Sequence, residues 1–141
     1  MKLFSYKIKF TAWLFLSLMI SSLTYICFRE KEDGGTHRPD WLPVNAENVN
    51  FVERKSFFAI ARQAEFYLGQ NDFAEFASSK GLDVRYEKDF LKPPMNFLND
   101  SMSVGVLKEA MVCRSGNSNL SGIYLVYDIK KNIVYYTQSN R

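Results

Sequence analysis

Residues 122–138 read GIYLVYDIKKNIVYYTQ, and the fold turns on this stretch. Gly122 to Asp128 and Ile133 to Gln138 are rich in aromatic and branched side chains, which suit extended backbone. The four residues between them, Ile129-Lys130-Lys131-Asn132, are enough to turn the chain back, so the two runs are expected to pair as an antiparallel hairpin.

Working outward, Val104 to Arg114 alternates as a third strand, separated from the hairpin by the polar turn region Ser115 to Ser121 (SGNSNLS). Leu82 to Glu87 suggests a brief strand. Lys88 to Ser101 reads as a loop stiffened by Pro93-Pro94, which favour an extended polyproline conformation. Asn48 to Arg54 (NVNFVER) alternates as a first strand. Ser56 to Leu68 fits two patterns: Phe58, Ile60, Ala64, Phe66 and Leu68 follow a period of two, whereas Phe57, Ile60, Ala61, Ala64 and Leu68 follow a helical one. Its aromatic residues and the Gly-Gln-Asn-Asp turn that follows favour a strand. Asp72 with Glu75 has the spacing of a capping box and Gly81 supplies a stop, so a short helix is expected with Phe73, Phe76 and Ala77 on its inner face.

The amino-terminal fifth has a different character. Phe10 to Phe28 (FTAWLFLSLMISSLTYICF) carries no charge and, as a helix, would extend roughly 28 Å, close to the ~30 Å hydrocarbon core of a bilayer. The expectation is a retained transmembrane signal-anchor over residues 8–28. Two competing readings are a cleaved export signal, for which Ser22-Leu23-Thr24 is a poor cleavage site, and a lipoprotein acylated at Cys27, where Tyr25 and Ile26 are bulky. The domain plan is then a basic tail (1–7), the anchor (8–28), a flexible linker (29–40, containing REKEDGGTHRPD) and one globular extracytoplasmic domain (41–141), opening at Trp41-Leu42-Pro43. The short basic tail resembles the leading region of an export signal, which places the domain on the periplasmic side of a cell membrane. The fold class expected is α+β: an N-terminal transmembrane helix, then an antiparallel sheet of four to six strands with one short helix packed on it.

The formal charge of +3 divides unevenly. Lys2, Lys7 and Lys9 precede the apolar run, and the remaining 15 basic residues equal the 15 acidic ones. A phosphate-binding surface needs an excess or a cluster of basic residues, so no nucleic-acid partner is expected.

The inventory for catalysis is thin. His37, the single histidine, lies in the linker, which leaves no imidazole base for a serine or cysteine nucleophile within the domain. With Cys27 and Cys113 the only cysteines, a zinc site of three or four nitrogen and sulfur ligands is not available. No glycine-rich phosphate loop is present. No catalytic, cofactor-binding or metal residue is assigned, no cofactor is expected, and the protein is not expected to be an enzyme. Asp83, Glu87 and Asp89 fall close together, as do Asp72 and Glu75; a solvated rim and helix capping are their plain readings. One feature points to binding. The apolar stretch Phe90 to Leu98 either folds over the sheet or presents Phe90, Leu91, Met95 and Phe97 to a partner.

Trp41-Leu42-Pro43, Ala46-x-Asn48-Val49, Ala64-Glu65-Phe66, Asp72-Phe73 with Phe76-Ala77 and Gly81, and Tyr127-Asp128 with Tyr135-Tyr136 together resemble a group of small bacterial envelope proteins, membrane-anchored or exported, that have no assigned activity. The resemblance implies an envelope location and transfers no site residue. The expectation is an envelope protein whose partners are the lipid bilayer, through residues 8–28, and another envelope protein. The alternatives are a small-molecule or lipid sensor, or an accessory subunit of an envelope enzyme.

Overall fold

The computed structural model describes residues 13–25, 31–56, 58–93, 95, 105–115 and 121–140. Helix α1 covers residues 13–25. Strands β1 (Lys31–Gly35), β2 (Glu47–Lys55) and β3 (Ile60–Tyr67) follow, then helix α2 (Gln70–Ser79), then β4 (Arg85–Leu91), β5 (Val106–Arg114), β6 (Gly122–Asp128) and β7 (Ile133–Asn140).

The strands form one seven-stranded sheet in the order β1-β2-β3-β7-β6-β5-β4, every neighbouring pair antiparallel. Two meanders compose it. β1 to β3 run up and back; α2 then carries the chain to the far edge, and β4 to β7 return until β7 meets β3. This last pairing joins Ile60↔Asn140 through Tyr67↔Ile133 without a slip. The 122–138 hairpin forms as read, with Leu125↔Tyr136 and Val126↔Tyr135 opposite each other.

Period-two alternation sends side chains to two cores. On one face, α2 sets Phe73, Phe76 and Ala77 against Phe51, Phe66, Tyr127 and Tyr136, with the Phe73 and Tyr127 rings stacked 4.9 Å apart. Trp41 and Leu42 close the end of this core, Trp41 lying 5.0 Å from the Tyr136 ring. On the other face, Leu107, Ala110, Val112, Val126, Ile133 and Tyr135 pack with Met95. The first half of β7, Ile133 to Tyr136, therefore buries both of its faces, which is why those four residues read as an unbroken apolar run.

Four expectations are corrected. The expected anchor over 8–28 lies partly outside the described residues, which are helical across residues 13–25. Ser17, Ser21, Ser22 and Thr24 dilute its hydropathy, and among the described residues no helix is long and apolar enough to cross a membrane. The single-pass transmembrane signal-anchor is thus not supported, nor is the cell-membrane placement with a periplasmic domain that depended on it. Second, the fold is mostly sheet, with seven strands where four to six were expected. The extra strand lies in the supposed linker: Lys31–Gly35 pairs with β2 from Lys31↔Lys55 to Gly35↔Phe51, and Arg54 Nε bonds Glu32 Oε2 at 3.0 Å. Backbone pairing, which no apolar pattern announces, holds this strand.

Third, α2 begins earlier than Asp72 and without a capping box. Gly69 is its N-cap in extended conformation with no side-chain cap, and Asp72 stands in the first turn. The carboxylate there faces the positive end of the helix dipole. The end is as expected: Gly81 at φ +67 lets its own N–H reach Ser78 C=O (2.9 Å) while Leu82 N–H reaches Ala77 C=O (3.0 Å). This is the Schellman arrangement, which favours glycine. Fourth, β4 continues through Leu91, so Phe90 and Leu91 belong to a strand and not to a loop.

One buried ionic cluster ties the first meander to β7. Glu53, 5% exposed, accepts from Lys55 Nζ at 2.6 Å and from Arg62 Nε at 2.5 Å. Arg62 also donates to Gln138 Oε1 (3.1 Å), which accepts from the Tyr136 hydroxyl (2.7 Å), and its guanidinium lies 5.2 Å from the Trp41 ring centre. Burial alone would raise the Glu53 carboxyl; the hydrogen bonds and charges of Lys55 and Arg62 outweigh it and hold the group below its ordinary 4.5. Burial also pushes the Tyr136 phenol up to about 12. A carboxyl held low contributes stability above its ordinary value and loses it as the pH falls through the lowered one. Glu53→Gln is therefore expected to cost about 3 kcal/mol in urea unfolding at neutral pH, because it leaves Arg62 partly buried without its counter-charge. The gap between variant and wild type should narrow in acid, as the wild-type carboxyl takes up its proton.

Candidate functional site

Asp83, Arg85 and Glu87 alternate along the chain leading into and through β4. This spacing puts all three on one face of an extended segment, with opposite charges two residues apart. Arg85 is the cross-strand partner of Val112 and Glu87 of Ala110, while in the next pair Arg114 stands opposite Tyr124. Arg114 lies two residues beyond Val112, so the Arg85 and Arg114 side chains leave the sheet as diagonal neighbours, roughly 7 Å apart at their base.

A groove of about 640 Å³ opens between them. Val112, Phe90 and Tyr124 supply its apolar and aromatic surface, Arg85 and Arg114 its positive charges, Asp83 and Glu87 its negative ones, and Gly81 at the end of α2 its rim. The Tyr124 phenol sits in the field of both charge types. Burial pushes it up, the Glu87 carboxylate pushes it further, and the Arg114 guanidinium opposes them.

The kink in β4 is what brings Phe90 here. Asp89 takes a left-handed φ of +49 between the pairs Lys88↔Glu109 and Phe90↔Leu107. Strict alternation would send Phe90 to the face opposite Arg85; instead it packs with the same core as Val112. On β5 the phase shifts too, since Leu107 and Ala110, an odd number of residues apart, share that core. Lys108 Nζ bonds Asp89 Oδ1 at 2.9 Å beside the kink. The kink and the exposed charges of Arg85, Glu87, Lys88 and Asp89 guard the outer edge of the sheet against strand addition.

The four residues singled out for partner contact separate. Phe90 lines the groove, Leu91 is 61% exposed opposite the exposed Val106, and Met95 is buried in the second core. Phe97 lies outside the described residues. Of the carboxylates, Asp83 and Glu87 come together in the groove, whereas Asp89 turns to Lys108. His37 meets the Phe51 ring edge-on at 4.9 Å, and Cys113 is buried with its thiol pushed up to about 11 by burial and then by Asp83. A thiol so protonated is a poor nucleophile. Among the described residues, no three His, Cys, Asp or Glu side chains converge as a metal site.

No protein-family model, curated protein or solved structure matches the chain. The resemblance to small envelope proteins rests on its quoted residues alone.

The electrostatics of the groove can be read through Tyr124. In tyrosine ring-carbon NMR titrations, Glu87→Gln is expected to bring the Tyr124 phenol down toward its ordinary value, and Arg114→Gln to move it further up. An unchanged titration in both variants would show that neither group faces the phenol.

Proposed function

We infer that the sheet domain is a non-enzymatic binding module that takes a polypeptide segment of another protein in the groove over β4, β5 and β6. The observation that carries this reading is the combination, in one open groove, of two guanidiniums, two carboxylates and a tyrosine beside the apolar side chains of Phe90 and Val112. Arginine and tyrosine dominate the energetics of protein interfaces because each joins a large contact area to directional hydrogen bonds. Charges of both signs suit a peptide, whose backbone dipoles and side chains offer both.

A second reading, a small dipolar molecule, is favoured by the size of the groove, which falls within the range of ligand cavities. Panning a random peptide library on the full chain separates the two. The reading predicts enriched peptides that compete for one site and bind about tenfold more weakly to Arg114→Ala, the loss expected of one central interface arginine. Enrichment that ignores Arg85→Ala and Arg114→Ala alike would remove the groove as the site. An absence of enriched peptides, with a small carboxylate or amine raising the melting temperature, would favour the second reading.

A further inference from the structure

We propose that the segment taken by the groove is extended and presents an acidic side chain with a basic one two residues away on each side. The inference rests on the binding reading above and specifies its partner. Asp83, Arg85 and Glu87 form a row of minus, plus and minus charges along the groove, at the period of extended backbone, roughly 6.7 Å per step. All three side chains are exposed, and among the described residues none has an ion-pair or side-chain hydrogen-bond partner. Other charges of the sheet are matched within the chain: Asp89 takes Lys108 at 2.9 Å, and Glu53 holds Lys55 and Arg62. The row in the groove is open to a match from outside.

The spacing selects the conformation of the occupant. In an extended segment residues i, i+2 and i+4 lie on one face and repeat at the same step, so three complementary charges stay in line with the row. A helix brings i, i+4 and i+8 to steps of about 6 Å, but each step rotates about 40° off that line and carries the outer charges away from their partners. Long basic side chains suit the flanking positions. Their methylene stems lie on Phe90 and Val112 while the charged head reaches Asp83 or Glu87. The segment rests on the groove face and does not lengthen the sheet, because the charges and the kink of β4 guard its outer edge.

The test uses the full chain, a random peptide library and the variant Arg85→Glu, whose circular dichroism should match wild type because the position is exposed. Peptides enriched on the wild-type chain should align on Asp or Glu, flanked by Lys or Arg at the second residue on either side. Replacing that central acid by Lys should weaken binding about tenfold, because a like-charge contact replaces an opposite one. On Arg85→Glu the order should reverse, with the Lys-centred peptide binding about tenfold more tightly than the acid-centred one. Peptides that compete for one site and weaken on Arg114→Ala, yet show no such pattern or no reversal on Arg85→Glu, would overturn the inference and leave the binding reading standing. Charges recurring at every fourth residue would also overturn it, in favour of a helical partner. If no peptide is enriched, the binding reading falls and this inference falls with it.

Discussion

The antiparallel pairing of β3 with β7 is the constraint on which the rest of the structure depends. Ile60–Tyr67 lies beside Ile133–Asn140 along eight cross-strand pairs, and nowhere else are the two meanders joined within the sheet. The pairing closes a loop of more than sixty residues, so its chain entropy must be offset by burial. Ala64 and Phe66 on β3 and Val134 and Tyr136 on β7 supply that burial under α2, while Tyr135 anchors the opposite face. A one-residue slip would exchange the two faces of β7 and carry Tyr136 away from Trp41 and Phe76. The Glu53–Arg62–Gln138 cluster reinforces the same register, because its members come from β2, β3 and β7.

From that junction the groove follows. With β7 fixed, β6 and β5 stack outward in register, and β4 ends at the edge with Arg85 beside Val112 and Arg114 beside Tyr124. The left-handed turn at Asp89 then swings Phe90 onto the groove face and bends the edge. One backbone irregularity thereby does two things: it adds an aromatic wall to the groove and discourages another strand from pairing along β4.

Much of the sheet was legible in the residues and some was not, for physical reasons. The β6–β7 hairpin could be read because aromatic and branched residues fill both strands. β3 could be read because its aromatics outweighed alanines that also fit a helix. Gly81 marked the end of α2, since only its left-handed conformation closes the Schellman bonds there. β1 was hidden because Lys-Glu-Asp-Gly-Gly buries nothing. The anchor was read from an uncharged run, and it is overturned because no helix among the described residues is long and apolar enough to cross a membrane. At the site, Phe90 was found as an apolar residue out of place, and Asp83-x-Arg85-x-Glu87 carried an unused signal of period two. Arg114 and Tyr124 could not have been joined to them, because the register of β5 against both neighbours is a tertiary fact.

Backbone hydrogen exchange measured residue by residue tests the central claim most directly. If the β3–β7 pairing holds the sheet together, the amides of β3 and β7 should be among the slowest to exchange and should open together, in one event that releases both meanders. Protection of β4 to β7 that survives while β1 to β3 exchange freely would show two independent units, and would contradict the account.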